Sequence, residues 1–193
     1  MDLLNKALYD NSFGLRKLYP WKSSSYDTHL QILSDRDERK RVLKYIGPVF
    51  SVPRAVTIKR VENSYLWGRY VLRYEEMKAD PNSRNVAEHI MVHATTHHNA
   101  LLIAEENFNW RLVRRSRFGQ GVSFAKDPLY ARMRASYAEA YVIAGVLIAN
   151  RTSGSWGQLL PPEGYDTTTG YTTNVCIKYY DDDFYPYYIV NDR

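Results

Sequence analysis

The sequence predicts a single α+β domain, and two observations carry that prediction. The chain has 193 residues, of which 45% are hydrophobic and 14% aromatic, enough for one folded core. Helix patterns come early, whereas strand patterns gather in the second half, without the regular alternation of a doubly wound sheet. The only cysteine, Cys176, has no partner for an internal disulfide, which favours an intracellular location, cytoplasmic or nuclear.

Three helices are expected from local signals. Apolar residues at helical spacing predict an amphipathic helix over 62–79, with Asn63 or Ser64 as its N-cap. A second helix is expected over about 97–106. A third opens at Asp127, a capping carboxylate that stands directly before a proline.

Four stretches rich in β-branched and aromatic residues are expected to form strands: 90–93, 141–150, 175–180 and 187–190. Glycine, proline and threonine between 151 and 173 predict a long loop. The longest apolar run, 141–149, falls short of the roughly 20 residues that a membrane span needs. The N-terminus has no secretory signal pattern, so a soluble protein with no membrane partner is expected.

The positive charge of the chain raises the question of whether it binds nucleic acid. A net charge of +5 and the arginine-rich run 111–117 permit contact with an acidic partner. Such a run is more often a solvated loop, and no nucleic-acid-binding motif accompanies it. Nucleic acid is therefore a possible partner that no motif supports.

Four of the five histidines lie within 87–100, and His89, His93 and His97 recur every four residues. Metal binding at this spacing needs a helix, whereas 90–95 has the composition of a strand. Residues four apart on a strand are about 13 Å apart, so one ion would not reach two of them. No metal site is expected, and two interpretations stay open: exposed structural histidines, or a nucleotide site.

Short motifs around these histidines occur in a fixed order: RVENSYLWGRY (60–70), EHIMVHAT (88–95), FNWR (108–111), FGQGVSFA (118–125), DPLYA (127–131), PPEGYDTTT (161–169) and YYDDDFYPYYIV (179–190). Together they resemble the catalytic domain of the poly(ADP-ribose) polymerase family, the diphtheria-toxin-like ADP-ribosyltransferases, and most closely its mono-ADP-ribosylating branch. The resemblance implies the ADP-ribosyltransferase fold, with two packed, mainly antiparallel sheets flanked by helices. Residues 51–193 would form the catalytic-like domain, and 1–50 its poorly matched N-terminal part.

The resemblance also implies an activity. It implies transfer of one ADP-ribose from NAD, the co-substrate, to an acceptor side chain, most readily of a protein, with release of nicotinamide. His93 would bond a ribose hydroxyl, the backbone of Ala94 would clamp the nicotinamide carboxamide, and Thr95 would lie near the adenosine. The further nucleotide contacts that it implies are Arg111, Phe118, Gly121, Phe124, Tyr130, Ala131 and Tyr137. For the two tyrosines, core packing is the alternative interpretation.

Three departures from the family pattern concern the chemistry itself. Ser123 replaces a tyrosine that packs on nicotinamide, Ala131 replaces a serine that bonds the carboxamide, and Val175 replaces the glutamate of polymer-forming members. Losing one such stabiliser typically costs about 3–4 kcal/mol, so chain elongation is not expected. With His93, Ser123 and Val175 as the catalytic positions, single-unit transfer is predicted. The alternative is an inactive member that binds a nucleotide or a protein.

Overall fold

The computed structural model describes residues 14–17, 29–50, 56–114, 117–135, 137–172 and 174–192. Its helices are α1 (Arg36–Ile46), α2 (Ser64–Ala79), α3 (His97–Glu106) and α4 (Pro128–Arg134). Its strands are β1 (His29–Ile32), β2 (Val56–Glu62), β3 (Ala87–Thr95), β4 (Val122–Ala125), β5 (Ala140–Ile148), β6 (Arg151–Ser153), β7 (Thr167–Thr169), β8 (Val175–Lys178) and β9 (Phe184–Asp192). Within these residues no helix has the length and apolar character needed to cross a membrane.

The three predicted helices are confirmed, and their starts follow from capping. The side chain of Asn63 accepts a hydrogen bond from the backbone N–H of Leu66 at the start of α2. Thr96 caps α3, and the carboxylate of Asp127 caps α4, where Pro128 takes the first helical position. Helix α1 was not predicted, although Asp35 caps it in the same way.

The nine strands form one hydrogen-bonded sheet in the order β1-β2-β9-β5-β3-β4-β8-β7-β6. All neighbouring pairs are antiparallel except β6 and β7. The expectation of two packed sheets was therefore wrong for the described residues, while the antiparallel character is confirmed. The physical reason is a narrow join, because β3 and β4 share one register pair, Val92 with Ala125. We call this join the β3–β4 seam.

The four predicted strands are confirmed as β3, β5, β8 and β9, and the structure extends β3 and β9 beyond the predicted bounds. The expected long loop over 151–173 was wrong in part, because it holds β6 and β7. The β-branched run Thr167–Thr169 is buried and pairs with β8, which explains why a threonine-rich stretch becomes a strand. Strand β1, from the poorly matched N-terminal part, pairs with β2.

The core lies on both faces of the sheet, around the fully buried strand β5. On one face Trp67 and Tyr70 of α2 pack against Tyr185 of β9, with ring centroids 5.2 and 6.0 Å from that of Tyr185. On the other face α3 covers a cluster that includes Phe108 and Phe124. Core residues on both faces thus pack around β3, which carries His93 near its C-terminal end.

A buried ionic network surrounds Lys178, the last residue of β8. The ammonium of Lys178 is fully buried and lies 2.5 Å from a carboxylate oxygen of Asp166 and 2.9 Å from one of Asp183. The guanidinium of Arg73 reaches Asp183 from α2 at 2.8 Å. Burial alone would lower the pKa of Lys178, but the two carboxylates outweigh burial and raise it. These charges tie β8 to β7 and α2.

Candidate functional site

A cleft of about 680 Å³ opens beside the β3–β4 seam. Its walls come from the end of β3, from β4 and the segment before it, from α4 and the segment after it, and from β8. A volume in this range is typical of sites for small molecules and cofactors. The short join at the seam leaves space there, because β4 stops pairing with β3 at Val92.

Most of the residues expected at the site line this cleft. Those on β3 and β4 are His93, Ala94, Thr95, Ser123 and Phe124. Those from the remaining walls are Phe118, Tyr130, Ala131, Tyr137 and Val175. Residues separated by more than 80 positions in the sequence thus line one cavity, because β3, β4 and β8 are neighbours in the sheet.

Two expected residues lie elsewhere. The guanidinium of Arg111 pairs with Asp181 at 2.7 Å and stacks 4.7 Å from the ring centroid of Trp110, outside the cleft. Gly121 does not line the cleft either, and a side chain there would collide with the carbonyl oxygen of Lys178 on β8. Gly121 therefore serves the close approach of two backbones, because no Cβ fits between them.

The imidazole of His93 is fixed in one orientation. Its Nδ1 lies 2.9 Å from the carbonyl oxygen of Ser123, on the opposite side of the seam. A carbonyl oxygen only accepts, so Nδ1 carries the proton and Nε2 of the neutral ring is an acceptor. The ring also packs edge-on against Phe108 at 5.3 Å, and burial lowers the pKa of His93. His93 is thus a neutral, oriented acceptor.

The backbone of Ala94 faces the cleft. The carbonyl of Thr95 accepts from the N–H of Glu139, just before β5, so it points towards β5. Successive residues of a strand direct their N–H and C=O groups to opposite sides, which turns those of Ala94 away from β5. On that side the register with β4 has ended at Val92. Ala94 therefore offers one donor and one acceptor at the cleft wall.

The start of α3 closes the adjoining corner of the cleft. The carboxylate of Glu139 accepts from the backbone N–H of His97 at 2.9 Å, which holds the turn between β3 and α3. Thr95 is buried, and its hydroxyl lies 3.4 Å from the side-chain amide of Asn99, a second cleft residue. Thr95 and Asn99 together place a hydroxyl and an amide at this corner.

Helix α4 and the segment after it supply aromatic groups to the opposite wall. Tyr130 is half-buried and packs against the core, with the guanidinium of Arg134 over its ring at 5.2 Å. Core packing therefore accounts for part of the Tyr130 contact surface. Tyr137 is 67% exposed at the cleft mouth, so core packing does not account for it. Ala131 is buried in the wall between them.

Positive charge at the cleft was missed by the sequence reasoning. Arg114, Arg117 and Arg134 line the cleft, and the described lining residues include no aspartate or glutamate. The first two belong to the arginine-rich run that was expected to be a solvated loop. Its density of charge was the available signal, but only the fold shows that the run passes along the cleft.

The floor beneath these charges is apolar. Val175 and Ile177 on β8 line the cleft and form a buried cluster with Phe118 and Tyr179. Val175 pairs with Ala125 across β8 and β4 and adds an aliphatic side chain to this floor.

The neighbouring histidines are spread over two elements. His89 and His93 lie on β3, whereas His97 begins α3, so the three do not share a helical face. Among the residues that the structure describes, no group of three His, Cys, Asp or Glu side chains is placed to hold a metal ion. His98 is exposed to solvent.

Known proteins with related sequences carry one activity in their names. The chain is 24% identical over 138 residues to mouse protein mono-ADP-ribosyltransferase PARP12, covering 69% of this chain and 19% of that protein. It is 26% identical over 116 residues to mouse protein mono-ADP-ribosyltransferase PARP11, covering 58% of this chain and 35% of that protein. Human PARP12 is 25% identical over 138 residues.

The chain is thus similar to proteins named mono-ADP-ribosyltransferases. These matches are distant and partial, and the chain spans only about a fifth to a third of the length of these relatives. No protein-family model matches the chain. The similarity supports a relation to the poly(ADP-ribose) polymerase family, and it agrees with an α+β fold built on one large, mainly antiparallel sheet.

Proposed function

We propose that residues 51–193 carry a mono-ADP-ribosyltransferase, which moves one ADP-ribose from NAD to an acceptor side chain and releases nicotinamide. The observation that carries the proposal is the end of β3, where His93, with its ring oriented by Ser123, and Ala94 line one cleft. The names of the similar proteins support the same activity. The partner that we infer is an intracellular acceptor protein.

The chemistry asks mainly for positioning. The bond between nicotinamide and ribose breaks, and its electron pair returns to the pyridine nitrogen, which was positively charged in NAD and leaves neutral. An oxocarbenium-like centre develops at the anomeric carbon, as in glycoside cleavage, and a nucleophile of the acceptor bonds to it. Because the leaving group needs no proton, a cleft that aligns the reacting atoms supplies most of the required catalysis.

We assign the polar groups of NAD to individual cleft residues by their chemistry. Nε2 of His93 accepts a hydrogen bond from a ribose hydroxyl, since its protonation state is fixed by the bond to Ser123. The N–H and C=O of Ala94 are complementary to a carboxamide, which has one acceptor oxygen and a donor nitrogen. The three cleft arginines face the diphosphate, whose charge they offset.

The acceptor must supply its own nucleophile. Val175 has no group that accepts a proton or bonds the hydroxyl of a bound ADP-ribose, and no carboxylate replaces it among the described lining residues. A chain of ADP-ribose units would need that hydroxyl to be activated. One unit per acceptor side chain is therefore the product that this site supports.

A second function is favoured by a specific observation. Ser123 and Ala131 leave the cleft without the tyrosine and serine that the resemblance implies at the nicotinamide. An inactive domain that binds NAD or a related nucleotide would keep the contacts of His93 and the arginines and still lack these two groups. The two functions share binding and differ in bond cleavage.

Nicotinamide release separates the two functions. The protein is incubated with NAD labelled in the nicotinamide ring, and free nicotinamide is measured over time beside the His93→Ala variant. In parallel, NAD at 100 times its dissociation constant should raise the stability by about 2.7 kcal/mol, a shift of a few degrees in melting temperature. Stabilisation without release would favour the binding domain. If NAD causes neither stabilisation nor nicotinamide release, both functions are contradicted.

A further inference from the structure

Exposed apolar side chains concentrate on one turn beside the cleft. Trp156, Leu159 and Leu160 are 84%, 66% and 54% exposed, and Tyr171 nearby in the fold is 90% exposed. We call these four side chains the Trp156 surface. Large apolar groups that stand together in solvent commonly mark an interaction site, because covering them removes unfavourable hydration.

The turn that displays Trp156 is held by its own hydrogen bonds. The side-chain oxygen of Gln158 accepts from the backbone N–H of Ser155 at 3.1 Å, and its amide donates to the carbonyl of Leu160 at 3.0 Å. Gly157, with φ of 76°, adopts a left-handed conformation that other residues rarely take. The backbone that carries Trp156 is therefore held in a defined conformation, so less backbone entropy is lost on binding.

The Trp156 surface is attached directly to the cleft wall. The backbone N–H of Gln120 donates to the carbonyl of Gln158 at 2.7 Å. Gly154 lies against the backbone of Phe118, where a Cβ would collide with it. The ring of Tyr171 packs edge-on against that of Phe118, with centroids 5.3 Å apart, and Phe118 lines the cleft. The Trp156 surface therefore adjoins Phe118, a residue of the cleft wall.

The positive charge of the cleft favours a ligand that carries negative charge. The guanidinium of Arg117 lies over the ring of Phe118 at 5.1 Å, the same ring that Tyr171 contacts, and both Arg117 and Arg114 line the cleft. No carboxylate occurs among the described cleft residues to offset them. A segment that runs from the surface to the cleft meets apolar groups and then positive charge.

We infer that the Trp156 surface docks an extended, acidic and leucine-like segment of the acceptor protein, whose apolar side chains cover Trp156 while its carboxylates meet Arg117 and Arg114. This inference rests on the proposed transfer reaction for its biological meaning, but the docking itself requires no NAD. It assigns the apolar part of acceptor selection to the Trp156 surface, outside the nucleotide contacts, whereas Arg114 and Arg117 serve both the diphosphate and the acceptor.

Synthetic peptides test the docking without a known acceptor. The probe is a short peptide that alternates leucine with glutamate, and its controls replace every leucine by serine or every glutamate by lysine. By titration calorimetry the leucine–glutamate peptide should bind at least about tenfold more tightly than either control, a difference of about 1.4 kcal/mol. Equal affinity for the three peptides, or no binding, would overturn the inference.

Substitutions at Trp156 and Leu159 test whether the peptide binds at the Trp156 surface. Trp156→Ser combined with Leu159→Ser should weaken the leucine–glutamate peptide about tenfold and leave NAD affinity unchanged. The matched control is Ile32→Ser, which removes an apolar side chain that is 72% exposed on β1. Equal peptide loss in both proteins contradicts the inference, as does a dimer that dissociates in the double variant, because a second copy would then be the occupant. Peptide binding by a protein that does not bind NAD would instead count against the proposed function.

Discussion

The Nδ1 of His93 donates to the carbonyl oxygen of Ser123 across the β3–β4 seam, over 2.9 Å. The two residues belong to strands that share only one register pair, so this hydrogen bond is a second tie between the two parts of the sheet. It also decides the chemistry of the ring, because it leaves Nε2 as the hydrogen-bond acceptor of the neutral imidazole. The same bond therefore joins the two parts of the sheet and orients the ring that we propose as a ligand contact.

The first prediction concerns stability against pH. Burial lowers the pKa of His93 below its ordinary value of 6.5, so between that value and the lowered one the unfolded chain binds more protons. The free energy of unfolding should therefore decrease as the pH falls below 6.5. His93→Phe keeps the ring volume and removes this contribution, so its stability should decline less steeply. Urea denaturation at pH 7.5, 6.5 and 5.5 measures both slopes, and identical slopes would contradict the assignment.

The second prediction concerns the cleft arginines. Arg114→Ala combined with Arg117→Ala should weaken NAD binding about tenfold and reduce its dependence on salt, because two exposed charges are removed from the proposed diphosphate site. Arg111→Ala is the matched control, since Arg111 is a neighbouring exposed arginine that pairs with Asp181 outside the cleft. Calorimetry at low and high salt measures both effects. A loss in the Arg111 variant as large as that in the double variant would contradict this prediction.

These arginines also mark the limit of the sequence interpretation. The helices were predictable because their signals are local, as in the cap of Asn63 on α2 and the proline after Asp127. The choice between Arg111 and its neighbours depends on the path of a loop over the sheet, which no local pattern records. The loop turns Arg111 towards Asp181 and leaves Arg114 and Arg117 at the cleft.

The sequence allowed the strands to be predicted, but it did not allow their order in the sheet to be predicted. Strand β3 was predicted from its β-branched residues, and ten expected site residues line the cleft that begins at its end. The single sheet depends on one pairing, Val92 with Ala125, between residues far apart in the chain. The charged residue Lys178 lies in a strand that is buried throughout, and nothing local predicts that two aspartates surround it.

The third prediction concerns that buried lysine. Lys178→Met should reduce the free energy of unfolding by about 3–5 kcal/mol, because Asp166 and Asp183 would lose their shared cation. Lys78→Met is the control, since the pair of Lys78 with Glu75 is exposed and contributes less than about 1 kcal/mol. Chemical denaturation of both variants gives the comparison. Similar small losses would mean that the Lys178 network adds little to stability.

The fourth prediction concerns the product. Incubation with labelled NAD should give single ADP-ribose units, on this protein or on an added acceptor, because the aliphatic side chain of Val175 activates no hydroxyl of a bound unit. Digestion with phosphodiesterase followed by chromatography distinguishes single units from chains. Long, phosphodiesterase-sensitive chains would contradict the role assigned to Val175.

The last prediction compares the histidines with one another. His93→Ala should weaken NAD binding about tenfold to a hundredfold, because a buried ribose hydroxyl left without its acceptor costs about 1–3 kcal/mol. His97→Ala combined with His98→Ala should leave the affinity nearly unchanged, since both residues stand at the start of α3 and neither lines the cleft. His93→Phe separates the lost acceptor from the lost volume, because the ring also packs against Phe108. Titration calorimetry of NAD against the four proteins, with zinc as a second ligand, measures these differences. Equal losses of NAD affinity in the His93 and His97/His98 variants would contradict the role assigned to His93. Tight zinc binding that needs all these histidines would show that the segment binds a metal ion.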